Sequence, residues 1–327
     1  MSTVLVTGGA GYIGAHTCKA LASAGYRPIV YDNLVSGHRE AVRWGPFVHG
    51  DIADRAALDA AIRTYRPQAA IHFAAHAYVG ESIADPGKYY RNNLAGSLTL
   101  LEALRDGGVG HFVLSSTCAV YGEPADLPIT EQTPPRPINP YGASKLMVEH
   151  MLADFERAHD LHWLALRYFN AAGDDFDGET GEDHDPETRL VPLALDAASG
   201  GPPLTVFGTD YATPDGTCIR DYIHVVDLAD AHVRALAALQ AGLASQPINL
   251  GAGRGMSVHE IIAMVEAITG SRVDLRRGPR REGDPPVLIA DARRAHELLG
   301  WSPRYSDPVR VVESAWAWHC RKRERLS

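Results

Sequence analysis

Through the first half of the chain, short apolar runs rich in β-branched residues alternate with stretches whose apolar residues recur every three to four positions. Thr3-Val4-Leu5-Val6, Pro28-Ile29-Val30-Tyr31, Ala69-Ala70-Ile71-His72-Phe73, His111-Phe112-Val113-Leu114-Ser115 and the run 161–168 read as strands buried on both faces. A further strand is expected over 46–52, closing on Asp51. Helices are predicted after residue 12 (Ile13, Cys18, Leu21, Ala22), over 54–65 (Leu58, Ile62), over 86–105 (Tyr90, Leu94, Leu98, Leu101) and over 141–158 (Leu146, Val148, Met151, Leu152). This alternation predicts an α/β fold with a doubly wound parallel sheet.

Beyond Asn170 the texture changes. The acidic stretch 174–188 has no apolar period and reads as a loop. A helix is expected over 191–198 and a strand over 204–207. The Ser257-Val258-His259-Glu260 spacing is a capping box that starts a helix reaching 269. Residues 280–286 read as a charged loop, and helices are expected over 291–299 and 308–320. Residues 1–170 therefore form the first domain, with the chain returning to it around 218–250, and 171–327 mainly form a smaller mixed α/β cap. Ligands of open α/β sheets bind at the carboxyl ends of the strands, so the cleft between the halves is the expected site.

Composition narrows the function. The 327 residues are 45% hydrophobic, with net charge −9 and a pI near 5.9, which argues against a nucleic-acid partner. No apolar run approaches the roughly 20 residues of a membrane span, and Met1 leads straight into a strand without the flanks of a signal peptide. Cys18, Cys118, Cys218 and Cys320 lie about a hundred residues apart without a CxxC, as expected of reduced thiols in a cytoplasmic protein. The histidines form no ligand-spaced cluster with them, so no metal is expected. The basic run 321–325 reads as a solvated chain end.

The chemistry-bearing residues stand at the strand ends. In Thr7-Gly8-Gly9-Ala10-Gly11-Tyr12-Ile13-Gly14, Gly8, Gly11 and Gly14 fall where a tight turn, a close backbone approach and helix–strand packing need bare positions. The helix start that follows suits a pyrophosphate. Asp32, roughly 20 residues on and at the end of the second strand, suits an adenosine ribose and repels a 2′-phosphate. Tyr141 and Lys145 stand one helical turn apart. A nearby ammonium pulls a phenol down from about 10, so Tyr141 is a candidate general base. Thr117, in Ser115-Ser116-Thr117, is placed to hydrogen-bond a substrate oxygen.

These motifs, with Asp32-Asn33, Gly50-Asp51-Ile52, His72-Phe73-Ala74-Ala75, Asn92-Asn93 and Val120-Tyr121-Gly122, resemble those of the extended short-chain dehydrogenase/reductase family, with its Rossmann-type sheet. Val79-Gly80-Glu81-Ser82, Arg167-Tyr168-Phe169-Asn170, residues 220–225 and Arg280-Arg281-Glu282-Gly283-Asp284 carry a narrower resemblance to its UDP-hexose 4-epimerases, running from residue 3 to about 305. The resemblance implies a bound NAD, with Gly8, Gly11, Tyr12, Ile13 and Gly14 around its pyrophosphate, Asp32 and Asn33 at its ribose, and Asp51 and Ile52 at its adenine. Phe73, Ala74, Ala75, Asn92, Ser115, Lys145 and Tyr168 would line the rest. It also implies interconversion of UDP-glucose and UDP-galactose by transient oxidation at carbon 4. Tyr141 would act as base, Lys145 and Thr117 would assist it, and weak turnover of UDP-N-acetylhexosamines would accompany the reaction. Asn170, Arg189, Leu190, Phe207, Arg220, Tyr222, Arg281, Asp284 and Leu288 would hold the UDP-sugar, with Leu288 closing over its 2-substituent. A homodimer is implied, joined through the helices 92–104 and 141–151, where Leu94, Leu98, Leu101, Met147 and Met151 supply apolar residues.

Departures bear on this reading. Ala77 stands where many members carry a lysine near the cofactor phosphates, leaving His76 or Arg167 to compensate, and Arg189 replaces Asn or His. Cys118-Ala119 follows Thr117 where a dehydratase needs an Asp-Glu pair. A uronate or pentose 4-epimerase would keep most of the same motifs. A regulator that binds NAD without turnover would not need Tyr141, Lys145, Arg220 and Arg281.

Overall fold

A computed structural model describes residues 2–281 and 283–326, so Glu282 of the 280–284 motif lies outside the described residues. The first half alternates β1 (Thr3–Thr7), α1 (Tyr12–Ser23), β2 (Arg27–Asp32), β3 (Phe47–His49), α2 (Arg55–Tyr65) and β4 (Ala69–His72). It continues through α3 (Val79–Ala84), α4 (Pro86–Tyr89), α5 (Ser97–Asp106), β5 (His111–Thr117), α6 (Pro140–His159) and β6 (His162–Tyr168). The second half comprises β7 (Asn170–Ala172), α7 (Leu190–Ala198), β8 (Leu204–Phe207), β9 (Ile219–His224), α8 (Val225–Gln240) and β10 (Gln246–Leu250). It ends with β11 (Gly255–Ser257), α9 (Val258–Thr269), β12 (Leu275–Gly278), β13 (Val287–Leu288), α10 (Arg293–Leu299) and α11 (Pro308–Leu326).

Seven strands form one sheet in the order β10-β6-β5-β4-β1-β2-β3, with every pairing parallel. The order in which successive strands are added reverses between β1 and β4, the switch point where a ligand crevice opens. Alternation along each strand fills both faces. Val4 and Val6 of β1, Ala69 and Ile71 of β4 and Leu164 and Leu166 of β6 share one core with Cys18 and Leu21 of α1 and Leu228 and Leu236 of α8. Leu5, Ala70, Phe112 and Trp163 face the other core, with Leu58 and Ile62 of α2, Leu100 and Leu104 of α5, and Val148 of α6. This is why the sequence runs are apolar throughout. The second half supplies two small sheets: β9 flanked by β7, β11 and β13, and the parallel pair β8 and β12. Thus β9 belongs to the cap while α8 and β10 belong to the large sheet.

Several expectations need correction. The strand expected over 46–52 is only Phe47–His49, because the chain turns at Gly50 around the Tyr31 ring, whose hydroxyl donates to the Asp51 carbonyl at 2.8 Å. The helix expected over 86–105 is α4 and α5 joined by π-wound backbone at Tyr90–Gly96. There the Asn93 amide accepts from His76 N and donates to His76 O, both at 2.9 Å. Helix α11 runs past 320, and its basic end is not simply solvated: Arg321 Nη1 donates to Asp177 O at 2.6 Å, Arg323 Nη1 donates to Ser199 O at 3.0 Å, and Lys322 pairs with Asp183. Of the helix residues expected at a subunit contact, Leu98 and Met147 are exposed, whereas Leu101 is buried in the chain's own core and Leu94 and Met151 pack against it. Ser257 and Glu260 form the expected capping box on α9. Among the described residues, no helix is long and apolar enough to cross a membrane.

Candidate active site

A cleft of about 940 Å³ runs from the carboxyl ends of β1 and β2 to the cap. At its first end the backbone demands two of the three glycines. A side chain at Gly8, whose φ is +72°, would meet Ala74 N at 2.5 Å, and one at Gly14 would meet Gly8 O at 2.2 Å. Gly11 differs: its φ is −83° and a methyl there would meet only Gly8 O, at 3.4 Å. The protein does not itself require a bare position at 11, so the space in front of it fits an approaching phosphate. Asp32 accepts from Ala10 N at 2.9 Å and Leu34 N at 2.8 Å. Burial pushes its carboxyl above the usual carboxylate range, and those two N–H groups pull it back. The donors and the acid suit a dinucleotide.

At mid-cleft, Asn139 caps α6 by accepting from Gly142 N at 2.9 Å, and Pro140 opens the helix, fixing where Tyr141 and Lys145 emerge. Lys145 is buried and donates to the Ser115 carbonyl at 2.9 Å. Burial lowers its ammonium to about 8, against the field of Glu149. The sequence expectation that Lys145 pulls the Tyr141 phenol down is not met here. Burial raises Tyr141 above its ordinary range and the neighbouring Tyr168 adds to this, while a hydrogen bond with Thr117 acts the other way. The effect of burial on a phenolate exceeds that of an ammonium turned toward a carbonyl. Ser115 Oγ and Tyr168 OH share a hydrogen bond at 2.5 Å.

At the cap end, Arg220 donates to the carbonyls of Ile219 at 2.7 Å and Pro285 at 2.6 Å and pairs with Asp284. Arg281 lies 4.2 Å over the Phe207 ring. Asn170, Leu190, Tyr222 and Leu288 complete that wall, and Leu288 also packs on Cys118, Val120 and Phe169.

The cleft thus gathers Gly8, Gly11, Tyr12, Ile13, Gly14, Asp32, Phe73, Ala75, Ser115, Thr117, Tyr141, Lys145 and Tyr168 with the cap residues named above and Arg189. Asn33, Asp51, Ile52, Ala74 and Asn92 lie off its wall. Asn33 donates to Asp51 Oδ2 at 2.8 Å, Ile52 is buried against Gly96, Ala74 N donates to Thr7 O at 3.1 Å, and Asn92 donates to Asn93 Oδ1 at 2.9 Å. The expected compensators for Ala77 are engaged elsewhere: Arg167 is buried against Glu149 and Tyr121, and the His76 ring sits 5.8 Å from that of Tyr89. Sequence reasoning missed Glu182 and His184, which also line the cleft. Their only sequence signal was the concentration of acids in the 174–188 loop. Of the acidic groupings in that loop, Asp175, Asp177 and Glu179 surround Lys19 Nζ at 2.6–2.8 Å. Glu182, His184 and Glu187 cluster beside Arg189, whose Nε lies 2.9 Å from Glu182 Oε1.

A dinucleotide cradle joined to Tyr141 with the buried Lys145 and an arginine-lined cap defines an enzyme that handles a second ligand against its cofactor. Residues 4–251 match the model of the NAD dependent epimerase/dehydratase family, and the chain belongs to it. Within that family, it is 51% identical to a UDP-glucose 4-epimerase of Rhizobium leguminosarum bv. trifolii over 98% of each chain. Its fold superposes with a TM-score of 0.94 on UDP-glucose 4-epimerase from Brucella ovis in complex with NAD, at 54% identity over 97% of this chain and 98% of that one. The score is 0.95, at 41% identity over the full length of both, against the Stenotrophomonas maltophila enzyme with bound NAD and formylated UDP-arabinopyranose.

Proposed function

We propose that this protein is a UDP-glucose 4-epimerase that interconverts UDP-glucose and UDP-galactose. The observation that carries the proposal is Tyr141, with Thr117 on the same wall, at mid-cleft between the glycine turn with Asp32 and the cap with Arg220 and Arg281. Bound NAD supplies the acceptor and later the donor of the carbon-4 hydride, so no net redox change results. Tyr141 takes the carbon-4 hydroxyl proton and returns it after the sugar has turned, and Thr117 hydrogen-bonds the same oxygen. Lys145, one turn along α6, is the protein's own cation on that face. Arg220 and Arg281 hold the uridine diphosphate, leaving the sugar free to rotate about its link to it. Leu288, buried and apolar, borders the sugar's 2-substituent and biases turnover toward plain hexoses over N-acetylated ones.

Tyr141→Phe is the test. Turnover of UDP-galactose should fall about 10²-fold or more with UDP-sugar binding nearly unchanged. Turnover near that of wild type would end this mechanism. We also propose a homodimer joined by α5 and α6, supported by exposed Leu98 and Met147 on those helices. Sedimentation of only a 35.3 kDa species at micromolar concentration would refute it.

A further inference from the structure

Four cations line the cleft among the described residues: Lys145, Arg189, Arg220 and Arg281. Lys145 donates to Ser115 O beside Tyr141, Arg220 is taken up by Asp284 and two carbonyls, and Arg281 covers Phe207 at the cap. Arg189 is the one set against the glycine turn. Its guanidinium lies 4.9 Å over the ring of Tyr12, the residue that follows Gly11. Its Nε lies 2.9 Å from Glu182 Oε1 as an ion pair, and neither that oxygen nor the buried Nη1 has a hydrogen-bond partner.

With one N–H unmet and 29% of its side chain still exposed, the guanidinium gains from an anionic ligand on its open edge. The surroundings hold the group ready rather than letting it relax. Tyr12 OH donates to Gly173 O, Glu182 N donates to Asp174 Oδ1 at 2.6 Å, and Trp318 Nε1 donates to Glu182 O at 3.0 Å. Glu182, buried itself, thus positions Arg189 beside the turn. The ligand expected there carries two phosphate charges, and one helix start with partial positive charge does not balance them. Ala77, also on the wall, brings no charge.

We propose that Arg189 is a cofactor-positioning residue whose guanidinium, lining the cleft beside Tyr12, grips the dinucleotide pyrophosphate with its open edge and completes the anion site begun by the glycine turn. This rests on the reading of NAD as the resident cofactor, and it moves Arg189 from the nucleotide-sugar end to the cofactor end. A guanidinium suits the role because it stays charged and its fork matches two phosphate oxygens.

The test uses purified holoenzyme of wild type, Arg189→Gln and Arg189→Lys. Two quantities are read: the rate at which bound NAD is lost into buffer at low and high salt, and the affinity for UDP by calorimetry. Arg189→Gln should lose NAD about tenfold faster or more, the size of one charge-assisted hydrogen bond. Its loss rate should also depend less on salt than that of wild type. Arg189→Lys should fall between them, and UDP affinity should stay within about twofold. Unchanged NAD loss with weakened UDP binding would overturn the proposal in favour of a substrate role. Equal weakening of both ligands in both variants would overturn it in favour of a purely structural role. A wild-type protein that retains no NAD would overturn this proposal together with the functional reading beneath it.

Discussion

Removing the carboxylate of Glu149 would expose how the frame beneath the active site is held. Glu149 lies two turns beyond Tyr141 on α6 and is buried. Its oxygens accept from Arg167 Nε at 3.0 and 3.2 Å, from Arg167 Nη2, and from Ser116 Oγ at 2.6 Å. Arg167 Nη1 donates to Tyr121 OH at 3.0 Å, which donates to Asn249 Oδ1 at 2.7 Å. One network therefore ties α6 to β5, β6 and β10. In Glu149→Ala the Arg167 charge, 4% exposed, keeps no counter-charge. Breaking a buried pair from one side costs about 3–5 kcal/mol. With an unfolding entropy of about 2.1 cal/mol/K per residue over 327 residues, that lowers Tm by about 4–7 °C. Circular-dichroism melts measure it. A second variant, Glu149→Leu with Arg167→Met, removes both charges and should recover much of the loss. If Glu149→Ala melts within about 1 °C of wild type, the network does not hold the frame and the reasoning fails.

Two further predictions test the cofactor end and the buried lysine. Gly11→Ala should melt within about 0.5 kcal/mol of wild type yet retain little NAD, because its methyl meets only Gly8 O at 3.4 Å. Gly14→Ala, at 2.2 Å from the same carbonyl, should lose about 1–3 kcal/mol or more of stability; equal destabilisation of the two variants would refute the assignment. Burial depresses the Lys145 ammonium from 10.5 to about 8, so between these values the unfolded chain binds more protons and stability rises with pH. The folded protein bears a charge-burial penalty of about 3 kcal/mol below pH 8. Lys145→Met should therefore gain on wild type most at pH 7, with the gap narrowing by about 2 kcal/mol at pH 9.5 in urea melts. A gap that does not change with pH would refute the burial argument.

The fold was legible where local pattern and long-range packing agree. Apolar runs such as Thr3–Thr7 and His162–Tyr168 are buried on both faces, and the glycine turn and the Ser257 capping box act within a few residues. Other features answer to partners far along the chain. The Glu149–Arg167–Tyr121–Asn249 network joins residues 18, 46 and 128 positions apart. Tyr121 and Arg167 stand in motifs that do not name these partners, and nothing near Glu149 or Asn249 in the sequence points to them. The π-wound turn follows Asn93, whose partner is the His76 backbone, and no periodicity reports that. From sequence alone the stretch 174–188 reads only as a loop. Its docking, through Tyr12 to Gly173 and Trp318 to Glu182, makes it a wall of the cleft. Within 218–250 the sequence reading carries only the return of the chain to the first domain, without β9, α8 or β10, although α8 covers one face of the sheet.

Two buried cations beside α6 show how the same helix divides frame from chemistry. Arg167 has a full carboxylate, and Glu149 has its oxygens occupied by that guanidinium and by Ser116. Lys145, one turn before Glu149, therefore feels that carboxylate only as a field and has a neutral carbonyl as its direct partner. The consequence differs in kind. A guanidinium cannot release its proton at working pH and serves as a fixed strut. An ammonium held at about 8 stands within reach of neutrality, as groups used in proton chemistry do. Exchanging the two residue types would fail on both counts: a lysine at 167 lacks the fork that bridges Glu149 and Tyr121, and an arginine at 145 would stay charged at any working pH. The stripe Tyr141, Lys145, Glu149 at four-residue spacing thus carries the proposed base, an adjustable charge and an anchor in succession along one helix face.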